Sequence, residues 1–168
     1  MADKIKIVVI DDEPEMCAVI KERLEEKGEF DVTSTSDPEK AESLIQQLLP
    51  DLIILDIVMP RRRGQEIIAA LKKEETLKKI PIIVISGKGE MVYNKKKDEF
   101  KWMPHSKLVQ ERGALPDARG AEELARAYGI EDYIAKPFTT DVLEGVVKEV
   151  LQKKRKRAEP EEKSNPGM

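Results

Sequence analysis

The amino-acid sequence predicts a doubly wound α/β fold, because five short apolar runs alternate with five segments of helical periodicity. Three of the five runs are almost continuously apolar, which is typical of strands covered on both faces of a parallel sheet. Right-handed crossovers through the helical segments would connect these strands. The predicted strands are Ile5–Ile10, Phe30–Thr33, Leu52–Leu55, Ile82–Ile85 and Tyr133–Ala135.

The predicted helices have apolar residues at three- and four-residue spacing and recognisable ends. Asp12 as cap and Pro14 in the first turn would start the first helix, and Asp37 would start the second. Gly129 would stop the fourth helix, and Thr139 or Thr140 would cap the fifth. The apolar stripes are, in chain order, Met16/Val19/Ile20/Leu24, Ala41/Leu44/Ile45/Leu48, Ile67/Ile68/Leu71, Leu124/Ala125/Tyr128 and Val142/Leu143/Val146/Val147/Val150/Leu151.

The composition favours one ordinary domain in a reducing compartment. The chain has 168 residues with 30 Lys+Arg against 33 Asp+Glu, and its net charge of −3 excludes a polybasic or strongly acidic chain. Its one cysteine, Cys17, forms no internal disulfide. No apolar run approaches the roughly 20 residues of a membrane span, and the start lacks the apolar core of an export signal. We therefore expect a cytoplasmic protein without membrane association.

Two segments depart from the alternating pattern. Residues 88–119 form an inserted loop far longer than the usual connection of about 2–6 residues. This insert contains Tyr93, Phe100 and Trp102, which are candidate partner-binding residues because a flexible linker is usually poor in aromatic side chains. A mobile insertion without a binding role is the simpler interpretation. Residues 158–168 are predicted to be a disordered tail, which leaves 1–157 as the domain.

Polar side chains follow four of the five predicted strands. Asp11 and Asp12 follow the first strand, Asp56 the third, Ser86 the fourth and Lys136 the fifth. In open parallel sheets, ligands bind beyond the carboxyl ends of the strands, near the point where the strand order reverses. The sequence therefore predicts one crevice that contains three carboxylates, a hydroxyl and an ammonium group.

Each of these residues also has a simpler interpretation. Asp12 would cap a helix, Asp56 would be a turn residue, Ser86 a loop residue and Lys136 a surface charge. Considered together, however, carboxylates about 4 Å apart repel by roughly 4 kcal/mol at an effective dielectric of 20, so three of them require a cation. Oxygen ligands favour Mg²⁺ or Mn²⁺. Such an ion would hold a phosphoryl oxygen while one carboxylate acts as the nucleophile.

In these motifs the sequence resembles the receiver domain of two-component response regulators. The resemblance covers residues 4 to about 152, except for the insert, and it implies a stand-alone, flavodoxin-like domain. Its five-stranded parallel sheet would have the order 2-1-3-4-5, with the insertion between strand four and helix four. The matching segments are Val9-Ile10-Asp11-Asp12-Glu13-Pro14, Leu55-Asp56-Ile57-Val58-Met59-Pro60, Gly64, Ile85-Ser86-Gly87 and Tyr133-Ile134-Ala135-Lys136-Pro137-Phe138.

The resemblance implies that Asp56 is the phosphoacceptor of a phosphorelay. It would take a phosphoryl group from a histidine kinase or a phosphotransfer protein. Asp11 and Asp12 would bind Mg²⁺ (or Mn²⁺) together with Asp56 and the backbone carbonyl of Val58. Lys136 would pair with the phosphoryl oxygens. The chain would assist its own phosphorylation and dephosphorylation without being an enzyme that acts on other molecules.

The resemblance also implies a switch that acts on an unidentified downstream protein. Ser86 would hydrogen-bond the phosphoryl group, and Tyr133 would turn inward as Ser86 moves. The bond between Lys136 and Pro137 would be cis. The surface formed by the fourth helix, the fifth strand and the fifth helix would change, in a monomer or a phosphorylation-dependent dimer. A simpler interpretation of Tyr133 is an amphipathic ring on a strand.

Two other function classes remain as alternatives. An aspartate-nucleophile phosphatase of the haloacid dehalogenase type usually has a second acid two residues beyond the nucleophile, where this chain has Val58. A phosphorylation-independent scaffold or nucleic-acid-binding module would use the insert and the basic residues Lys153–Arg157. The acidic residues after Arg157 and the lack of interleaved aromatic residues argue against nucleic acid.

Overall fold

The computed structural model describes residues 3–87, 89–94, 96, 99–104 and 129–159, and for residues 86, 87, 89–94 and 99–104 it describes the backbone alone. The strands are β1 (Ile5–Ile10), β2 (Phe30–Thr35), β3 (Leu52–Asp56), β4 (Ile82–Gly87), β5 (Gly89–Asn94), β6 (Glu99–Pro104) and β7 (Asp132–Lys136). The helices are α1 (Pro14–Glu25), α2 (Ala41–Leu48), α3 (Gly64–Lys72) and α4 (Thr140–Ala158), with a 3₁₀ turn at Pro38–Lys40.

Five of the strands form one parallel sheet in the order β2-β1-β3-β4-β7. Since β7 is the fifth strand of this sheet along the chain, the order confirms the predicted 2-1-3-4-5 arrangement. The described residues contain four helices rather than five. The predicted fourth helix, marked by Leu124, Ala125 and Tyr128, lies outside the described residues.

The apolar runs are buried on both faces of the sheet, as their composition predicts. Val8 and Ile10 of β1 belong to a core cluster with α2 and α3. Ile7 and Val9 of the same strand belong to a second cluster with α1 and α4. Because alternate residues of a strand point to opposite faces, both must be apolar when helices cover both faces.

The start of α1 differs from the sequence prediction. Pro14 is in the first turn as predicted, but the capping position belongs to Glu13, whose side chain makes no capping hydrogen bond. The prediction that Asp12 caps this helix is wrong. The Glu13 amide donates instead to the Asp11 carboxylate at 2.9 Å, so this donor is satisfied without Asp12.

Of the other two predicted starts, Thr139 caps its helix as predicted, whereas Asp37 caps a 3₁₀ turn and α2 itself begins at Ala41. The Asp37 carboxylate accepts a hydrogen bond from the Glu39 amide at 3.1 Å, at the start of the 3₁₀ turn that precedes α2. The Thr139 hydroxyl accepts one from the Val142 amide at 3.3 Å, which identifies Thr139 rather than Thr140 as the cap of α4.

The inserted segment contains regular structure in its first half, where the sequence analysis assigned none. β5 and β6 pair antiparallel, with Tyr93 opposite Phe100 and Met91 opposite Trp102. Residues 105–119 and 160–168 lie outside the described residues, so the proposed extents of the loop and the tail stay predictions. Helix α4 itself continues to Ala158, one residue past the predicted domain boundary.

Within the described ranges, no helix has both the length and the apolar character needed to cross a lipid bilayer.

Candidate functional site

Three predicted site residues meet at the carboxyl edge of the sheet, because the parallel strands end at the same edge. Asp11 follows β1, Asp56 is the last residue of β3, and Lys136 is the last residue of β7. Asp11 is 0% exposed and Asp56 is 2% exposed, so both carboxyl groups are removed from bulk water. Buried acids of this kind require a compensating charge.

Lys136 provides that charge. Its Nζ atom lies 2.8 Å from Asp11 Oδ2 and 3.5 Å from Asp56 Oδ2. The same atom lies 3.5 Å from Glu13 Oε1, a more exposed carboxylate that the sequence analysis did not assign to the site. The signal for Glu13 was its position in the acidic run after β1. The pairs with Asp11 and Asp56 confirm that the ammonium group lies beside these two acids, as predicted.

The site also has the composition of a divalent cation site. Carboxylate oxygens of Asp11, Asp12 and Asp56 all lie within 4.8 Å of one another. Three carboxylates and the Lys136 ammonium leave an excess of two negative charges. A cation that prefers oxygen ligands, such as Mg²⁺, therefore fits the donor set in charge and in chemistry.

Burial has a large effect on both acids. It is the main cause that raises the pKa of Asp56 to about 7, and the nearby charge of Asp11 adds to this effect while Lys136 opposes it. Burial likewise raises the pKa of Asp11 above its usual value, although the hydrogen bond from Lys136 opposes this rise. In the absence of a divalent cation, the two buried carboxyl groups therefore hold their protons more tightly than exposed aspartates do.

The neighbouring acids have the opposite effect on the lysine. Burial is the largest single influence on the pKa of Lys136 and lowers it. The hydrogen bond with Asp11 and the charges of Asp56, Asp11 and Glu13 outweigh burial, so the pKa of Lys136 lies above its usual value. Lys136 thus remains a cation throughout the physiological range.

The loop after β3 is shaped around Asp56. The Val58 amide donates to Asp56 Oδ1 at 3.1 Å, and the Gly64 amide donates to the Ile57 carbonyl at 3.0 Å. A Cβ atom on Gly64 would lie 2.6 Å from the Asp56 carbonyl oxygen and 2.7 Å from Ile57 Cα. Only glycine therefore permits α3 to start this close to Asp56.

A buried thiol supports the other side of the pocket. Cys17 Sγ donates to the Asp11 carbonyl at 3.3 Å, and the Thr35 carbonyl lies 3.8 Å away. Burial, assisted by the charge of Asp11, raises the pKa of the Cys17 thiol. The thiol is therefore a neutral donor that helps to hold the backbone at Asp11.

The two proposed switch residues are on the neighbouring strands β4 and β7. The backbone of Ser86 pairs with Ala135, one residue before Lys136, whereas the Ser86 side chain lies outside the described atoms. Tyr133 is partly buried and packs against the core cluster of α2 and α3. The peptide bond between Lys136 and Pro137 is cis, as the family resemblance implied.

Other predicted roles are not tested by the geometry. The Val58 carbonyl as a metal ligand stays a prediction, since the described contacts of Val58 involve its amide. Tyr93 is in β5, and Phe100 and Trp102 are in β6. Their partner-binding role also stays a prediction, because the side chains of these strands lie outside the described atoms.

Comparison with known proteins identifies a family to which the chain is similar. The family model described as the response regulator receiver domain matches residues 7–100. The phosphate regulon transcriptional regulatory protein PhoB of Rhizobium meliloti is 31% identical over 156 residues, which cover 93% of this chain and 54% of PhoB. The chain thus spans about half the length of the curated relatives that it matches.

Solved structures show the same fold. The receiver domain of the Francisella response regulator 1452 is 25% identical with a TM-score of 0.62, and the match covers 93% of this chain and all of that chain. The signal receiver domain of a LuxO repressor protein from Vibrio parahaemolyticus has a TM-score of 0.67 at 16% identity. That match covers 93% of this chain and 96% of the solved chain.

Proposed function

The chain belongs to the response regulator receiver domain family of two-component systems, and on this premise we propose that Asp56 accepts a phosphoryl group from a phosphohistidine. The observation that carries the proposal is the contact of one partly buried lysine with two buried aspartates at the carboxyl edge of the sheet. Phosphoryl transfer depends mainly on positioning and charge neutralisation, and this arrangement supplies both.

In the proposed step, one Asp56 carboxylate oxygen forms a bond to phosphorus while the P–N bond of the donor breaks. The donor imidazole leaves with the electron pair of that bond. The Val58 amide holds the Asp56 carboxylate in place through its 3.1 Å hydrogen bond. Lys136, already 3.5 Å from Asp56 Oδ2, pairs with the transferred phosphoryl oxygens. The chain acts as a phosphoacceptor that assists this exchange.

Mg²⁺ is the proposed cofactor, held by Asp11, Asp12 and Asp56, with the Val58 carbonyl as a further ligand. When bound, it neutralises the carboxylates and the phosphoryl oxygens. Asp56 is an effective nucleophile only in its ionised form, and its pKa of about 7 in the cation-free pocket works against that form. Lys136 supports ionisation by lying close to both buried acids.

The proposed donor is a histidine kinase or a phosphotransfer protein that binds at the junction of α1 and α4. Val19 on α1 is 47% exposed and Val142 on α4 is 52% exposed, although both are large apolar residues. An ion pair joins Arg23, which is four residues after Val19 on α1, to Asp141, which directly precedes Val142 on α4. A protein partner would cover this apolar surface, whereas a small donor has no need of it.

A Val19→Asp, Val142→Asp variant separates these two kinds of donor. We expect a histidine kinase that phosphorylates the chain to lose at least about tenfold in transfer rate, which corresponds to roughly 1.4 kcal/mol. Phosphorylation by acetyl phosphate should be unchanged. An equal loss with both donors would refute this docking site.

We further propose that phosphorylation is transmitted through Ser86 and Tyr133. The added charge lies at the end of β3, next to β4, and β4 pairs directly with β7. Hydrogen exchange of β7 and α4 is therefore expected to change when beryllofluoride and Mg²⁺ are added. A Ser86→Ala variant should bind beryllofluoride but show a smaller change, and an unaltered change in this variant would argue against the role of Ser86.

Beryllofluoride binding tests the proposed function directly, because this anion replaces a phosphoryl group on a carboxylate. We expect binding that requires both Mg²⁺ and the Asp56 carboxylate. An Asp56→Asn variant should show none, while the matched control Asp31→Asn, which changes an exposed aspartate on β2, should bind normally. Binding that persists in Asp56→Asn would overturn the assignment of the phosphoacceptor.

A further inference from the structure

A groove between α2 and α3 combines an apolar floor with acidic edges. Its floor contains Ala69, Ala70, Leu71 and Leu77. The groove has a volume of about 420 Å³ and is open to solvent. The charged residues that line it are Glu42, Glu66, Glu74 and Lys73. Because three glutamates and one lysine line it, the groove has acidic edges next to its apolar floor.

Two of these acids are directed toward solvent. Glu66 and Glu74 are exposed, whereas Glu42 forms an ion pair with Arg62. Glu74 has no ion-pair partner within the described part of the chain. The Glu66 carboxylate accepts a hydrogen bond from the Arg63 amide at 3.2 Å, which leaves its other lone pairs available. The groove therefore favours a cationic occupant with apolar stems.

The C-terminal end of α4 has this chemistry. Five consecutive basic residues, Lys153–Arg157, complete the helix. Lys154 Nζ donates to the Asp51 carbonyl at 3.1 Å, and Arg157 pairs with Glu131 at 3.3 Å. Arg155 and Lys156 are exposed and, among the described residues, form no ion pair. Lysine and arginine place long apolar stems on apolar surface while their charged ends reach polar groups.

The groove and the basic end of α4 do not meet within one molecule. Helices α2 and α3 pack on one face of the sheet, and α1 and α4 pack on the other. The Lys154 contact with Asp51 and the Arg157 contact with Glu131 also hold the end of α4 near the amino-terminal edge of the sheet. The complementary surfaces are therefore available to a second copy of the chain.

We propose that the α2–α3 groove of one copy binds the basic end of α4 of a second copy. Each copy presents one groove and one basic end on different faces, so the contact is head-to-tail. Contacts of this type extend into rings or open chains rather than stopping at a two-fold dimer. The contact involves none of the residues of the Asp56 pocket and is independent of phosphorylation.

Sedimentation of the 168-residue chain tests the proposal. At low salt, the average mass should rise above the 19.1 kDa of one copy with increasing protein concentration, and should continue to rise beyond two copies. In about 1 M salt, where charges are screened beyond roughly 3 Å, the mass should return to that of one copy. A chain that stays monomeric at low salt at all concentrations would overturn the proposal.

Reversed charges identify the surfaces. A groove variant (Glu66→Lys, Glu74→Lys) and a helix variant (Arg155→Glu, Lys156→Glu) should each lose self-association. An equimolar mixture of the two should associate again, because the basic groove of one variant then meets the acidic helix end of the other. The matched control Glu15→Lys, Glu22→Lys changes two exposed acids of α1 and should associate as the wild type does.

The mixture distinguishes a direct contact from a general effect of charge. All substituted residues are exposed, and circular dichroism checks that each variant is folded. Failure of the mixture to associate would overturn the proposal even if each variant alone were monomeric. Loss of association in the α1 control would likewise overturn it. If the helix end binds nucleic acid and not a second copy, the mixture of the two variants should fail to associate.

Discussion

Asp56 is unfavourable to the stability of the metal-free fold, since its carboxyl group is buried next to another acid, Asp11. Because its folded-state pKa is raised from 3.8 to about 7, the folded chain holds this proton more tightly than the unfolded chain. The free energy of unfolding should therefore fall as pH rises from about 4 to about 7. Asp11 contributes in the same direction.

An Asp56→Asn variant should be more stable than the wild type at neutral pH in the absence of divalent cations. We expect a gain of about 1–4 kcal/mol, the range found when buried ion pairs are replaced by uncharged residues. The gain should shrink toward pH 4, where the wild-type carboxyl group is protonated. Urea denaturation in EDTA at several pH values measures this, and an Asn variant less stable than the wild type at neutral pH would contradict the assigned pKa direction.

Lys136, in contrast to Asp56, stabilises the fold because its positive charge compensates the buried acids. A Lys136→Met variant removes the cation 2.8 Å from Asp11 and leaves two buried acids without that compensating positive charge. The loss should be about 3 kcal/mol at neutral pH, the usual cost of breaking a buried pair. It should decrease at acid pH, where the carboxyl groups are neutral. Equal stability of the variant and the wild type at neutral pH would show that Lys136 does not compensate these charges.

The amino-acid sequence predicted the residues of the site but not all of the hydrogen bonds between them. Asp11, Asp56 and Lys136 were predictable because each follows an apolar run, and parallel strands end at one edge. The hydrogen bond from the Glu13 amide to Asp11 was not predictable, because the sequence alone does not distinguish the roles of three adjacent acidic residues. Which acid turns inward depends on the backbone at the start of α1.

At the scale of the elements, strands covered on both faces were predictable, and the β5–β6 pair was missed. Buried strands such as β3 have continuous apolar runs. In β6, Phe100 and Trp102 are separated by Lys101, and β5 has only three consecutive apolar residues, Met91–Tyr93, so both short strands give a weaker signal. The charged connection between the two strands also obscured the hairpin.

The contact between α3 and β3 gives a test at this scale. A Gly64→Ala substitution would place a methyl group 2.6 Å from the Asp56 carbonyl oxygen, a backbone atom that cannot move aside cheaply. We expect a loss of about 1–3 kcal/mol, typical of overpacking. We also expect weaker beryllofluoride binding, because α3 must shift away from Asp56.

Gly145 is the matched control. It is in α4, and a Cβ atom there would meet nothing within 4 Å. Replacing this glycine with alanine should stabilise the chain by about 0.5–1 kcal/mol through helix propensity alone. Thermal unfolding compares the two variants, and a Gly64→Ala variant that behaved like Gly145→Ala would refute the close approach of α3 to β3.

At the scale of the whole molecule, the sheet order places β1 and β3 side by side and collects their terminal acids in one pocket. Cation binding to the folded chain should therefore stabilise the entire domain. At a Mg²⁺ concentration of 100 times the dissociation constant, the gain should be about 2.7 kcal/mol. An Asp12→Ala variant should lose most of this gain, and an equal gain in wild type and variant would exclude Asp12 as a ligand.

The most direct measurement is the intact mass of the chain after incubation with acetyl phosphate and Mg²⁺. We expect the wild type to gain the mass of one phosphoryl group and EDTA to prevent this gain. Asp56→Asn should gain nothing, while Asp31→Asn should behave as the wild type does. A phosphoryl group that still appears on Asp56→Asn, or a wild type that stays unmodified with Mg²⁺ present, would contradict this expectation.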